Sequence, residues 1–107
     1  MTNVEFIHTA QGYIGFSACG HAGDAPQGEN IVCAAVSAAV ELTECQLTDI
    51  LLLHTQVDID AKTARVSVRL QDAHPLAQAP VQALKLYLTR LAEEYPRFLN
   101  ILEVSPC

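Results

Sequence analysis

Basic residues are scarce in this chain: six lysines and arginines in 107 residues, scattered from Lys62 to Arg97 without a run. Against twelve acidic residues they leave a net charge of −6. Nucleic-acid binding needs clustered Lys and Arg to neutralise phosphates, so no direct nucleic-acid partner is expected. An acidic surface attracts basic peptides instead. Residues 1–5 lack the basic and apolar regions of a secretory signal. No apolar stretch reads as long enough to cross a membrane; the densest, Ile31 to Val40, is alanine-rich and broken by Ser37. The four cysteines, Cys19, Cys33, Cys45 and Cys107, contain no C-x-x-C pair, which argues against structural zinc and against a thioredoxin-type motif. Without an export signal they read as reduced thiols of a cytoplasmic protein. The glycine-rich segment is not followed by G-K-[ST], so it is no phosphate loop. There is no internal repeat, linker or low-complexity segment.

What is present describes one well-buried domain over residues 1–107. Half the residues are hydrophobic and only 17% are charged. Asn3 to Thr9 reads as a strand with Val4 and Phe6 on one face and Ile7 on the other. Ala10-Gln11-Gly12 is a hairpin turn. In the second strand, Tyr13 to Cys19, Ile14, Phe16 and Ala18 alternate against Gly15, Ser17 and Cys19. Residues Ala22 to Glu29 form a polar loop, and a helix is expected from Ile31 to Leu53 with Asn30 as its N-cap. Its broad surface of Ile31, Ala34, Ala35, Ala38, Ala39 and Leu42, extended by Val32, Val36 and Val40, suits a central buried helix or one facing a second subunit. A hairpin follows over Gln56–Asp60 and Ala64–Leu70, then a helix between Pro75 and Tyr95. Pro80 is placed in that helix's first turn or at a restart, and Pro96 ends it. Phe98 to Val104 is the last strand. The order β-β-α-β-β-α-β predicts an α+β domain, an antiparallel or mixed sheet packed with two helices.

The chemistry gathers at Gly20-His21-Ala22-Gly23 and, eight residues on, Ile31-Val32-Cys33-Ala34-Ala35-Val36-Ser37. On this reading Cys33 lies in the first turn of the helix, where unpaired N–H groups and the macrodipole favour a thiolate and could stabilise an oxyanion. His21, at a strand end, would act as general base and then general acid. Gly20 and Gly23 let the chain turn around the histidine, and Gly28 eases the approach to the helix. Each half alone is weak. A free cysteine on an apolar helix is more often inert packing, and a lone loop histidine is more often bonded to backbone.

The joined pattern G-H-A-G followed by G-x-N-I-V-C-A-A-V-S resembles the signature of the ribosomal-processing cysteine protease family (Prp), most strongly from Gly12 to Ala39. The resemblance implies an endopeptidase with a Cys33–His21 dyad and no cofactor or metal. It would remove a short N-terminal extension from a large-subunit ribosomal protein. It further implies a homodimer, a loop over Ala22–Glu29 that opens and closes on substrate, and an extended peptide with bulky hydrophobic residues before the cut. Tyr13, Ile14 and Phe16 are candidate pocket walls. The family's usual aspartate before Ile-Val-Cys is Asn30 here, which caps a helix nearly as well but orients an imidazole only as an amide. Two rivals stand beside the protease: a non-catalytic ribosome-associated binding module, and a redox protein joining Cys19 to Cys33.

Overall fold

The structure, a computed structural model, describes residues 1–20 and 27–106. The elements are β1 (Thr2–Thr9), β2 (Gly12–Cys19), α1 (Gln27–Cys45), β3 (Thr55–Asp60), β4 (Arg65–Leu70), α2 (Pro75–Glu94) and β5 (Leu99–Val104). This is the expected order, and the sheet is mixed. Its strands run β3-β4-β2-β1-β5, with β5 parallel to β1 and every other pair antiparallel. One core joins Val4, Phe6, Phe16, Val68 and Leu99 of the sheet to Val32, Val36 and Val40 of α1 and to Ala77, Val81, Leu84 and Leu88 of α2. The opposite face of the sheet is polar. There the Ser17 hydroxyl accepts hydrogen bonds from Arg65 Nη1 at 3.0 Å and from Ser67 Oγ at 3.1 Å.

In the first hairpin, Ile7 pairs with Gly15 but His8 pairs with Tyr13, so Ile14 is an extra residue in β2. Such a bulge resets the alternation of side chains. Tyr13 therefore turns inward with Phe16 instead of opposing it, and its ring meets Phe6 edge-on at 6.2 Å. The turn before it needs glycine twice over. Gly12 has φ +135°, and a β-carbon there would run into the Gln78 side-chain amide. That amide pins the start of α2 to the hairpin, accepting from Tyr13 N at 2.7 Å and donating to Tyr13 O at 3.0 Å.

Both helices depart from expectation. Helix α1 begins at Gln27, so Asn30 lies inside its first turn and does not cap it, and Gly28 is helical. It ends at Cys45, followed by a single π-type turn over Gln46–Ile50 and by Leu52 at φ 55°. Its buried stripe is Val32, Val36 and Val40, at spacing four, because the branched side chains fill the space over the sheet that alanines would leave empty. Ile31, Ala34, Ala38 and Leu42 face outward. By length and composition Glu29–Ile50 would pass for a membrane span, contrary to the reading of the sequence, yet its valine stripe and Leu47 are packed in the core. In α2, Pro80 sits inside a continuous helix instead of at its start or a restart. Packing of Ala77, Val81, Leu84 and Leu88 outweighs a proline penalty of roughly 3 kcal/mol. His74 caps that helix, its Nδ1 accepting from Leu76 N at 3.1 Å.

A polar cluster ties β2, α2 and β5 together at the hairpin end of the sheet. Glu103 Oε1 accepts from the Tyr13 hydroxyl at 2.8 Å and from Lys85 Nζ at 2.7 Å, while Lys85 also donates to the Tyr13 oxygen at 3.3 Å. The Lys85 hydrogen bond, then that from Tyr13, holds the Glu103 carboxyl below its ordinary range. The bond to Glu103 raises Lys85, and burial raises Tyr13. A carboxylate with a lowered folded-state pKa contributes stability at neutral pH that is lost as pH falls through that value. Glu103→Gln should therefore lower stability at pH 7 by about 0.5–1 kcal/mol, the scale of a partly exposed pair. Denaturant titrations should show the deficit closing as pH falls below the ordinary carboxylate range and the wild-type carboxylate also protonates; a deficit unchanged with pH would contradict this.

Candidate active site

The site forms at the end of the sheet opposite that cluster, where β1 begins and β2 ends. Gly20, just past β2, donates its N–H to Ala64 O at 3.2 Å, and Thr2, opening β1, donates to Phe98 O at 2.8 Å. Because the valine stripe fixes the rotation of α1, Cys33, next to Val32, is turned toward both. Its Sγ lies 3.1 Å from Thr2 Oγ1, and a β-carbon placed on Gly20 would stand 3.7 Å from the sulfur. Gly20 is the residue before His21. His21, Ala22 and Gly23, expected in the dyad and the substrate loop, lie outside the described residues. The Met1 amino group pairs with Glu29, a buried carboxylate one helical turn before Cys33.

Cys33 is the seventh residue of α1. It belongs to the second turn, not the first, and its N–H falls within the i→i−4 ladder of the helix. The expectation that this N–H and its neighbours serve an oxyanion is thereby corrected. The macrodipole also acts more weakly at Cys33 than expected, since its influence fades within the first turn.

Beside the sulfur opens a cavity of about 240 Å³. Its walls are apolar, from Ala18, Val36, Val40, Ile59 and Val66, and Glu41 and Glu44 stand farther along α1. The volume is below that of a whole small-molecule site and suits one or two side chains of an extended ligand. The candidate walls Tyr13, Ile14 and Phe16 do not line it: Phe16 is buried in the core, and Tyr13 turns to Glu103 at the far end of β2. Sequence reading missed Ala18, Ile59 and Val66 because three separate strands or turns bring them to α1. Alternation does place Ala18 on the face of Phe16, which was a usable signal.

Cys19 is not a partner for Cys33. It follows Ser17 on the polar face of the sheet, where its Sγ donates to Thr63 O at 3.2 Å, whereas Cys33 lies on the helix face. The two thiols lie on opposite faces of the sheet, which weakens the redox reading. Both thiols are free. Cys45 is exposed and does not line the cavity.

A half-buried thiol at one end of an apolar cavity, beside a strand end that leads into a histidine, is the arrangement of a small cysteine hydrolase. Comparison with known proteins makes the class definite. Residues 1–100 match the family profile of Cysteine protease Prp, and the chain belongs to that family. Its fold is that of SMU.848 from Streptococcus mutans, with 24% identity, TM-score 0.87, and coverage of 99% of this chain and 96% of that one. The essential ribosomal processing protease Prp from S. aureus, solved with a substrate peptide, is 21% identical with TM-score 0.88, covering 97% of this chain and all of that one. The same S. aureus protease with a covalently linked product peptide aligns at 22% identity and TM-score 0.84. No protein with a curated description matches the sequence significantly.

Ile59 offers a clean probe of the cavity, since it lines the opening yet is 74% exposed. Ile59→Asp should lower kcat/KM for a hydrophobic peptide by at least about tenfold, through loss of apolar contact and burial of a charge. The thermal midpoint should stay near wild type. Unchanged kcat/KM would place the substrate elsewhere.

Proposed function

We propose that this protease removes a short N-terminal extension from a large-subunit ribosomal protein, with Cys33 as nucleophile and His21 as its acid–base partner. The observation that carries the reading is the position of the Cys33 sulfur: at the head of the apolar cavity and against Gly20, the neighbour of His21. Family membership and the processing protease of S. aureus supply the reaction class.

His21 takes the thiol proton, and the Cys33 thiolate attacks the scissile carbonyl to form a tetrahedral adduct. The adduct expels the amine, which takes the proton back from His21, and leaves a thioester on Cys33. His21 then deprotonates water. Attack on the thioester releases the carboxylate product and returns the thiolate, which is reprotonated. In this scheme the Ala18, Val36 and Val40 walls receive a bulky hydrophobic side chain near the cut. With a net charge of −6 the enzyme also draws in a basic ribosomal-protein tail. Asn30, exposed within the first turn of α1, is retained as an amide that can orient His21.

A cytoplasmic homodimer belongs to the same reading. Between α1 and α2 runs an apolar groove lined by Ala35, Ala38, Leu42 and Tyr87, with Leu42 69% exposed. A second copy placed by two-fold symmetry would cover both such grooves at once. Leu42→Glu should shift the sedimenting species from dimer to monomer; a wild-type monomer would refute the pairing.

The direct assay is cleavage of the host's own N-terminal ribosomal-protein peptide, read by mass spectrometry. Wild type should make one cut after a bulky hydrophobic residue. Cys33→Ser and His21→Ala should each slow it by at least about 10³-fold. Intact peptide that still binds wild-type protein would favour the non-catalytic binding module.

A further inference from the structure

The Thr2 hydroxyl is an unassigned group in direct contact with the nucleophile, and we propose that it is a positioning residue that holds the Cys33 thiolate. The inference rests on Cys33 being the nucleophile. Thr2 is 2% exposed, and its Oγ1 stands 3.1 Å from Cys33 Sγ. Among the described residues that hydroxyl makes no other hydrogen bond; in the neutral pair either group can donate, but once Cys33 is a thiolate only the hydroxyl carries a proton to share. A hydroxyl carries one donor hydrogen, and a buried donor left unmade is costly.

The backbone makes this donor rigid. Thr2 opens β1, is paired with Leu99 of the parallel β5, and donates its N–H to Phe98 O at 2.8 Å, while its β-branch restricts the side-chain torsion. The cysteine, by contrast, projects from α1 with a side-chain torsion that could aim the sulfur elsewhere. A fixed hydroxyl therefore does two things for a sulfur that sits beyond the first turn of its helix. It selects the rotamer that points Sγ toward Gly20 and the cavity, and it donates more strongly to the thiolate than to the thiol, since hydrogen bonds to charged acceptors are the stronger ones. The thiolate support expected from the helix terminus comes here from the adjoining strand.

Thr2→Val replaces the hydroxyl by a methyl group of similar shape on a strand position that favours branched side chains, so the fold is retained. Thr2→Ser restores the donor. Alkylation of Cys33 by iodoacetamide, followed site by site through peptide mapping, should shift to higher pH by about one unit in Thr2→Val. The acidic limb of kcat/KM for the peptide should move with it, and Thr2→Ser should return both profiles toward wild type. Superimposable profiles in wild type and a folded Thr2→Val, or a Thr2→Ser that behaves like Thr2→Val, would overturn the proposal. The two readings separate cleanly. A peptidase activity that survives Cys33→Ser removes the nucleophile assignment, whereas an inactive Cys33→Ser beside an unshifted Thr2→Val removes only the role of Thr2.

Discussion

The packing of one valine stripe against the sheet is the constraint on which the site depends. Val32, Val36 and Val40 lie on a single line of α1 and bury against Val4, Phe6 and Phe16. Large-to-small changes in such a core cost on the order of 1–4 kcal/mol, which is enough to set the rotation of a helix. Once that rotation is set, Cys33 has no freedom to face solvent or the second helix. It meets the start of β1 and the end of β2, which are neighbours because the first hairpin is antiparallel. Fold and chemistry are thus coupled through three valines.

The two ends of the sheet are built for different purposes. At the hairpin end, polar groups are mutually satisfied: Glu103, Lys85 and Tyr13 bond one another, and Gln78 closes the turn over Gly12. At the opposite end, a thiol and a hydroxyl stand beside a cavity with apolar walls. A hydrophobic side chain entering that cavity would gain burial against Ala18, Val36, Val40 and Val66. The closed end stabilises the strands, and the open end carries the proposed site.

Most of the fold was legible in the sequence because its elements carry clean periodicities. The β3–β4 hairpin, with Val66, Val68 and Leu70 alternating against Arg65, Ser67 and Arg69, is one example; the Leu84, Leu88 and Leu91 spacing of α2 is another. What was not legible depends on contacts between distant segments. The bulge at Ile14 reverses Tyr13, and no local signal announces it. The face of α1 was ambiguous because alanine and valine stripes overlap, and only the bulk demanded by the sheet separates them. The early start of that helix had a local signal, since Pro26 directly precedes Gln27 and Glu29 supplies an acid in the first turn. For the site, Cys33 stood out by its motif. Thr2 did not, being thirty-one residues away in sequence.

The central claim is that the Cys33 sulfur carries the acyl group during peptide cleavage. Rapid mixing of wild-type enzyme with the peptide substrate, acid quenching and peptide mapping by mass spectrometry would test it most directly. A thioester of the N-terminal fragment is expected on Cys33, transient in wild type and lost in Cys33→Ser. Acylation at Cys19 or Cys45 instead, or turnover with no acylated cysteine in Cys33→Ser, would contradict it.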